Sequence, residues 1–114
     1  MIKNSNEIKE IKLEANNLYN VYKQVAIGAN EGWDDYVMRI FTLKDGGYTA
    51  EHSHPWPHIN YIIEGKGTLY LDGNCHLVES GYVAYIPKNS IHQFKNTGTG
   101  DFKFICIVPK GCDK

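Results

Sequence analysis

No apolar run in the 114 residues approaches the roughly 20 that a membrane-spanning helix requires. The opening stretch, MIKNSNEIKEIKLEANN, is polar and has none of the apolar core of a secretion signal, so a cytoplasmic location is expected. Charge of one sign is also missing: the formal net charge is −1 and the pI is near 6.5, which leaves no electrostatic footprint for nucleic acid or an anionic membrane. Cysteine is scarce. Cys75, Cys106 and Cys112 are odd in number and lack a CxxC spacing, which argues against a disulfide scaffold or a thiolate zinc knot and for reduced thiols. There is no internal repeat, low-complexity stretch or linker, and the length suits one hydrophobic core.

What the chain does have is glycine, tyrosine and β-branched residues, which favour strands and turns. Strand-like runs recur at 21–27, 36–43, 58–63, 68–71, 75–78, 82–86, 92–94 and 102–108, with turn residues between them. Lys44–Gly47 reads as one such turn, and Ile59–Asn74 reads as hairpin-like. Asp72-Gly73 between alternating runs is a strong two-residue hairpin signal. Many short strands at regular spacing predict an all-β barrel or sandwich. Residues 1–17 are read as a polar N-terminal segment that docks on the barrel or on a dimer partner, and residues 18–114 as the barrel domain.

Four of the five histidines carry the chemistry. His52, His54 and His58 lie in GGYTAEHSHPWPH, and His92 lies in GYVAYIPKNSIHQFKN. His52 and His54 are two residues apart, so on one strand both project from the same face. Clustered neutral imidazoles are how a protein holds a transition-type divalent ion. Singly, each histidine could be a surface residue or a hydrogen-bonded core residue; together they read as a metal site.

Strand parity extends the site. With His58 inward, Asn60 and Ile62 follow it, while Tyr61 and Ile63 face out. With His92 inward, so is Phe94. Lys103 facing water turns Phe102, Phe104, Cys106 and Val108 inward. Phe94, Phe104 and Cys106 then line an apolar pocket, with Asn60 beside them. Cys106 is read either as an inert buried thiol or as a nucleophile. Arg39 has two readings. Tyr36, Thr42 and Lys44 as a solvent face place Arg39 inside, where it would need a carboxylate or phosphate partner; the opposite parity buries Met38 and Ile40 and exposes it. Trp56, between two prolines, is a lid or a dimer contact.

The stretch Gly46–Gly65 resembles the first cupin signature, G-x5-H-x-H-x3-E-x6-G, at Gly46, His52, His54 and Gly65. The stretch Gly81–Asn96 resembles the second, G-x5-P-x-G-x2-H-x3-N, at Gly81, Pro87, His92 and Asn96. The resemblance implies a double-stranded β-helix, or jelly-roll, barrel of the small single-domain cupin type. Two positions depart from the pattern. Asn89 replaces a glycine, a mild change because Asn tolerates the left-handed turn. His58 stands at the glutamate position, so all four ligands implied by the resemblance are neutral and the ion keeps its full charge, which raises its Lewis acidity.

The chain is similar to small bacterial monocupins with an all-histidine site, which implies one divalent transition metal per chain, manganese by resemblance, with Fe, Ni, Cu or Zn also compatible. It further implies a metal-dependent, dioxygenase-like oxidoreductase acting on a small organic substrate. The alternatives are a metal-dependent isomerase or lyase, for which no acidic general base is apparent in the inferred pocket, and a non-catalytic ligand-binding barrel. A homodimer is expected, because Tyr61, Ile63 and the N-terminal isoleucines are surplus to one core.

Overall fold

The computed structural model describes residues 1–113, and its regular structure is nearly all strand. Nine strands are present among these residues: β1 (Ile11–Lys12), β2 (Tyr19–Ile27), β3 (Tyr36–Tyr48), β4 (His58–Glu64), β5 (Lys66–Leu71), β6 (Asn74–Glu79), β7 (Val83–Ile86), β8 (His92–Asn96) and β9 (Phe102–Pro109). Helical structure is limited to two short 3-10 turns, Ser5–Glu7 and Ala29–Glu31, and no helix is long and apolar enough to cross a membrane.

All strand pairs are antiparallel, in the order β6-β5-β8-β3-β9-β4-β7, with β2 adding to β3 and β1 to β2. The long β3 is the spine. Its first part pairs with β9 from Tyr36↔Pro109 to Leu43↔Phe102, and its last residue pairs with β8 at Tyr48↔Lys95. One strand thus joins both halves of the sheet, which curls over a single core of Val21, Leu43, Ile62, Leu69, Val78, Ile86, Phe94, Phe102 and Phe104. This is an all-β antiparallel barrel, the architecture expected from the strand spacing and the resemblance.

Alternation explains the burial on β4 and β9. His58, Asn60 and Ile62 are buried while Ile59, Tyr61 and Ile63 are exposed. On β9, Phe102, Phe104, Cys106 and Val108 are all 3% exposed or less.

Four sequence expectations need correction. Lys44–Gly47 does not end a strand: β3 runs through it to Tyr48, with a register shift against β2 between Tyr19 and Val21. Gly46 takes φ 71°, and a Cβ on Gly47 would lie 2.9 Å from the Asn20 and Lys44 carbonyl oxygens, so the glycines serve a bulge and not a turn. Ile59–Asn74 is not a hairpin, since β4 pairs with β7 and β9 whereas β5 pairs with β6 and β8. The chain crosses between the two halves at Gly65 (φ 86°), where a Cβ would collide with the Asp101 carbonyl oxygen. The hairpin is β5–β6, turned by Asp72 (φ 46°) and Gly73 (φ 88°). Third, Thr42 does not face solvent; it is buried between its register neighbours Tyr22 and Lys103. Ile40 is buried too, so β3 is covered on both faces and parity alone could not orient Arg39. Fourth, His52 and His54 do not share a regular strand; only an isolated bridge, His52↔His92, forms there.

Candidate metal centre

The site is assembled where the segment after β3 runs along β8. Thr49 N donates to Phe94 O, Phe94 N donates to the Thr49 hydroxyl, and His52 and His92 exchange backbone hydrogen bonds of 3.1 and 2.9 Å. The ladder begun at Tyr48↔Lys95 therefore continues in irregular form and sets His52 directly opposite His92. Asn89, at φ 67°, donates its N–H to His54 O, which ties the Pro87–Ser90 turn to the first histidine segment. Asn96, the last residue of the second motif, works as a strap: its amide donates to the Leu43, Lys44 and Gly100 carbonyls.

Four imidazoles gather here. Ring centroids are 4.2 Å apart for His52–His54, 4.7 Å for His52–His92 and 5.5 Å for His54–His92. His58 lies 5.0 Å from His54 and 4.9 Å from His92. One ring nitrogen from each of His52, His54 and His92 lies within 4.8 Å of the other two; His58 is not part of that tighter group. Metal–nitrogen bonds of about 2.1 Å would bring neighbouring donors to about 3–3.4 Å, a small contraction. The fifth histidine, His76, is exposed on β6, away from the cluster.

The hydrogen bonds set the tautomers. His52 Nδ1 lies 2.7 Å from Ala50 O, and His92 Nδ1 lies 2.9 Å from Ser90 O. A carbonyl can only accept, so each Nδ1 carries the proton and each Nε2 keeps its lone pair, the arrangement that carbonyls bonded to the far ring nitrogen produce in metal sites. His58 Nδ1 lies 3.4 Å from Cys106 Sγ, and its Nε2 is buried with no partner. With the proton on Nδ1, that orphaned nitrogen is a free donor for an ion.

Burial favours the neutral form of His54, His58 and His92. Burial, reinforced by His52, His92 and Arg39, lowers His54 from 6.5 to about 4. Burial, with His92 and Arg39 next, lowers His58 to about 3. Burial also lowers His92, opposed by its hydrogen bond to Ser90. Neutral imidazoles with directed lone pairs are the form that binds divalent cations, so the residues present fit a metal ion.

Beside the histidines opens a cavity of about 190 Å³, walled by Phe41, Phe94, Phe104, Val21, Leu13 and Leu18. Phe94 and Phe104 stack at 4.1 Å, and Phe104 stacks on Phe41 at 5.5 Å. Trp56 lies flat on His54, with centroids 4.7 Å apart and planes 3° apart. Arg39 is inside, 4% exposed; its guanidinium lies over Phe41, donates to Cys106 Sγ at 2.9 Å and reaches Asp113 at 3.4 Å. Burial pushes the Cys106 thiol up and Arg39 opposes it. Asn60 is buried next to Cys106 and donates to Ile105 O, but it does not line the cavity. It sits two residues further along β4 than His58, opposite Cys106 in the register. The sequence reading missed Leu13, Leu18, Val21, Phe41 and Cys112 as wall residues and Asp113 as the partner of Arg39; they come from distant segments, and no local motif announces them.

An antiparallel barrel with convergent histidines at its mouth defines a small metal-binding barrel protein. The family model for the cupin domain matches residues 39–108, more than half of the chain, and the protein belongs to that family. An uncharacterized protein of Methanocaldococcus jannaschii is 36% identical over 89 residues, covering 76% of this chain and 63% of its own length. The polyketide synthase CurC of Streptomyces cyaneus is 25% identical over 100 residues, covering 87% and 62%. The chain thus spans under two thirds of either relative. Among solved structures, the polyketide cyclase RemF of Streptomyces resistomycificus superposes with a TM-score of 0.87 at 25% identity, covering 96% of this chain and 80% of that one.

Proposed function

We propose that this metal-binding cupin is a metal-dependent oxidoreductase of the dioxygenase type acting on a small, partly apolar organic molecule. In this reading His52, His54, His58 and His92 together hold one divalent ion through Nε2, manganese being the preferred metal. The observation that carries it is the orphaned, buried His58 Nε2 beside three imidazoles with ring nitrogens within 4.8 Å of one another, at the edge of a phenylalanine-walled cavity. An ion held by these histidines would supply Lewis-acid and redox chemistry there. The chain's own residues do the rest. Ala50 and Ser90 hold two imidazoles in orientation, Phe94 and Phe104 grip the apolar body of the substrate, and Trp56 braces His54 at the mouth.

The second reading is a metal-dependent isomerase, lyase or cyclase, supported by the likeness to the polyketide cyclase RemF. It needs a proton acceptor, and among the described residues no Asp or Glu lines the cavity. A non-catalytic ligand-binding barrel is the third. The test is elemental analysis of protein isolated without an affinity tag, followed by oxygen-consumption screening of small apolar acids, enols and thiols with that metal. Oxygen uptake that disappears in His52→Ala supports the first reading. Turnover without oxygen supports the second, and tight binding without turnover supports the third.

A homodimer in the cytoplasm completes the proposal. Ile59, Tyr61 and Ile63 on β4 and Val83 and Tyr85 on β7 form an exposed apolar strip in register, Ile59↔Tyr85 and Tyr61↔Val83. β7 pairs only with β4 among the described residues, so its free edge can take a second copy about a twofold axis.

A further inference from the structure

Lys23 and Arg39 are diagonal neighbours across β2 and β3, given the pairs Lys23↔Phe41 and Val25↔Arg39. Their side chains are 13% and 5% exposed, and both reach one carboxylate oxygen, Asp113 Oδ1, at 3.0 and 3.4 Å. The tail arrives there because Gly111 (φ 78°) turns it back after β9 and Cys112 N donates to Pro109 O; Cys112 then lines the cavity. The contact leaves Arg39 underused. Its Nη1 meets Asp113 at the long end of hydrogen-bond range, its Nη2 meets only a thiol, and its Nε is buried with no partner. A guanidinium offers a planar fork of donors that matches a carboxylate in bidentate fashion, and here the fork borders the cavity while only one oxygen of a tail residue approaches it. Two cations against one partly exposed carboxylate leave room for a better acid.

We propose that Lys23 and Arg39 form a carboxylate subsite at the cavity mouth, that Asp113 fills it in the resting chain, and that the carboxylate of a small aromatic or apolar acid displaces Asp113 and swings the Gly111–Asp113 tail outward. This deepens the reading above by naming the substrate class, and rests on it only for what the far end of the ligand meets. Arg39 lies on Cys106 Sγ, which itself contacts His58, so an acid seated on Arg39 directs its other end toward the histidines past Phe41 and Phe104.

The test is isothermal titration of the full chain, stripped of metal so that no ion can hold the probe, with benzoate and with its neutral isostere benzamide. Benzoate is expected to bind saturably, and Asp113→Asn should bind it about three- to tenfold tighter, because a partly exposed carboxylate that makes only long or single-oxygen contacts no longer competes. Lys23→Met should weaken benzoate binding, and benzamide should be indifferent to both changes. Equal benzoate affinity in the wild-type and D113N proteins, no saturable benzoate binding to D113N, or benzamide binding as well as benzoate would each overturn the proposal. Asp113 and Lys23 are partly exposed and lie outside the hydrophobic core, so both variants are expected to fold, which circular dichroism checks. Absence of oxygen chemistry in the metal-loaded protein would sink the oxidoreductase reading and leave these binding results untouched.

Discussion

Replacing His58 by Leu separates a metal ligand from a packed core histidine, because the two roles predict opposite signs. His58 is 6% exposed, and its Nε2 has no hydrogen-bond partner. A buried polar atom left unpaired costs about 1–3 kcal/mol, and an apolar side chain of similar size removes that cost. Metal-free His58→Leu should therefore be more stable than wild type by about 1 kcal/mol, a rise of about 4 °C in Tm for a domain of this size. Metal reverses the order. At a Mn²⁺ concentration of about 100 times Kd, wild type gains about 2.7 kcal/mol from binding. A variant that binds about 100-fold more weakly gains only about 0.4 kcal/mol at the same concentration. The loss of a direct ligand should be at least as severe as the roughly 10–100-fold penalty for losing a ligand's hydrogen-bond partner. The variant is thus the more stable protein without metal and the less stable one with it. Thermal unfolding by circular dichroism, with and without Mn²⁺, reads both signs. An unchanged metal-induced shift in His58→Leu would remove His58 from the coordination sphere, and a metal-free variant less stable than wild type would show that the ring is held by packing and its Cys106 contact.

The metal-free protein should weaken in acid through the same histidines. Their folded pKa values are depressed, from 6.5 to about 4 for His54 and about 3 for His58, so the unfolded chain takes up protons first. Their contribution is complete above about pH 6.5 and is lost as pH falls toward 3; a denaturation midpoint flat across that range in metal-free protein would contradict the burial assigned to them. Phe104→Ala should cost about 3–5 kcal/mol, since the ring is 2% exposed and touches Phe41, Phe94 and Phe102, yet it should keep its metal content and accept bulkier substrates. Metal loss in that variant would mean the aromatic wall supports the ligands themselves. Light scattering should report about twice the 13.0 kDa chain mass, and Tyr85→Lys should halve it; a monomer at micromolar concentration rules out the β7 edge as an interface.

The chain's local patterns were enough for an all-β barrel or sandwich, and the resemblance to the two cupin signatures chose the barrel and singled out its histidines. Alternation at His58-Ile-Asn-Tyr-Ile and Phe102-Lys-Phe-Ile-Cys-Ile-Val set the inner faces of β4 and β9, because a strand with one dry and one wet face must repeat every second residue. Asp72-Gly73 set the β5–β6 hairpin, because positive φ at both positions admits few residues. The two histidine motifs pointed to a common site, because four imidazoles at the positions of the two resembled signatures make a donor set for a divalent ion.

Tertiary structure decided the rest. Arg39 could not be oriented by parity, because β3 is buried on both faces and alternation carries no signal there. His52 and His54 converge through an irregular segment, because backbone bonds between His52 and His92 hold it against β8. Asn60 has the right parity for the pocket and is buried, yet its amide is turned to the Ile105 carbonyl and it does not line the cavity, an orientation that alternation does not record. Asp113 meets Lys23 and Arg39 across 90 and 74 residues of chain, and no local pattern encodes a contact made only when β2, β3 and the tail after β9 close over one another.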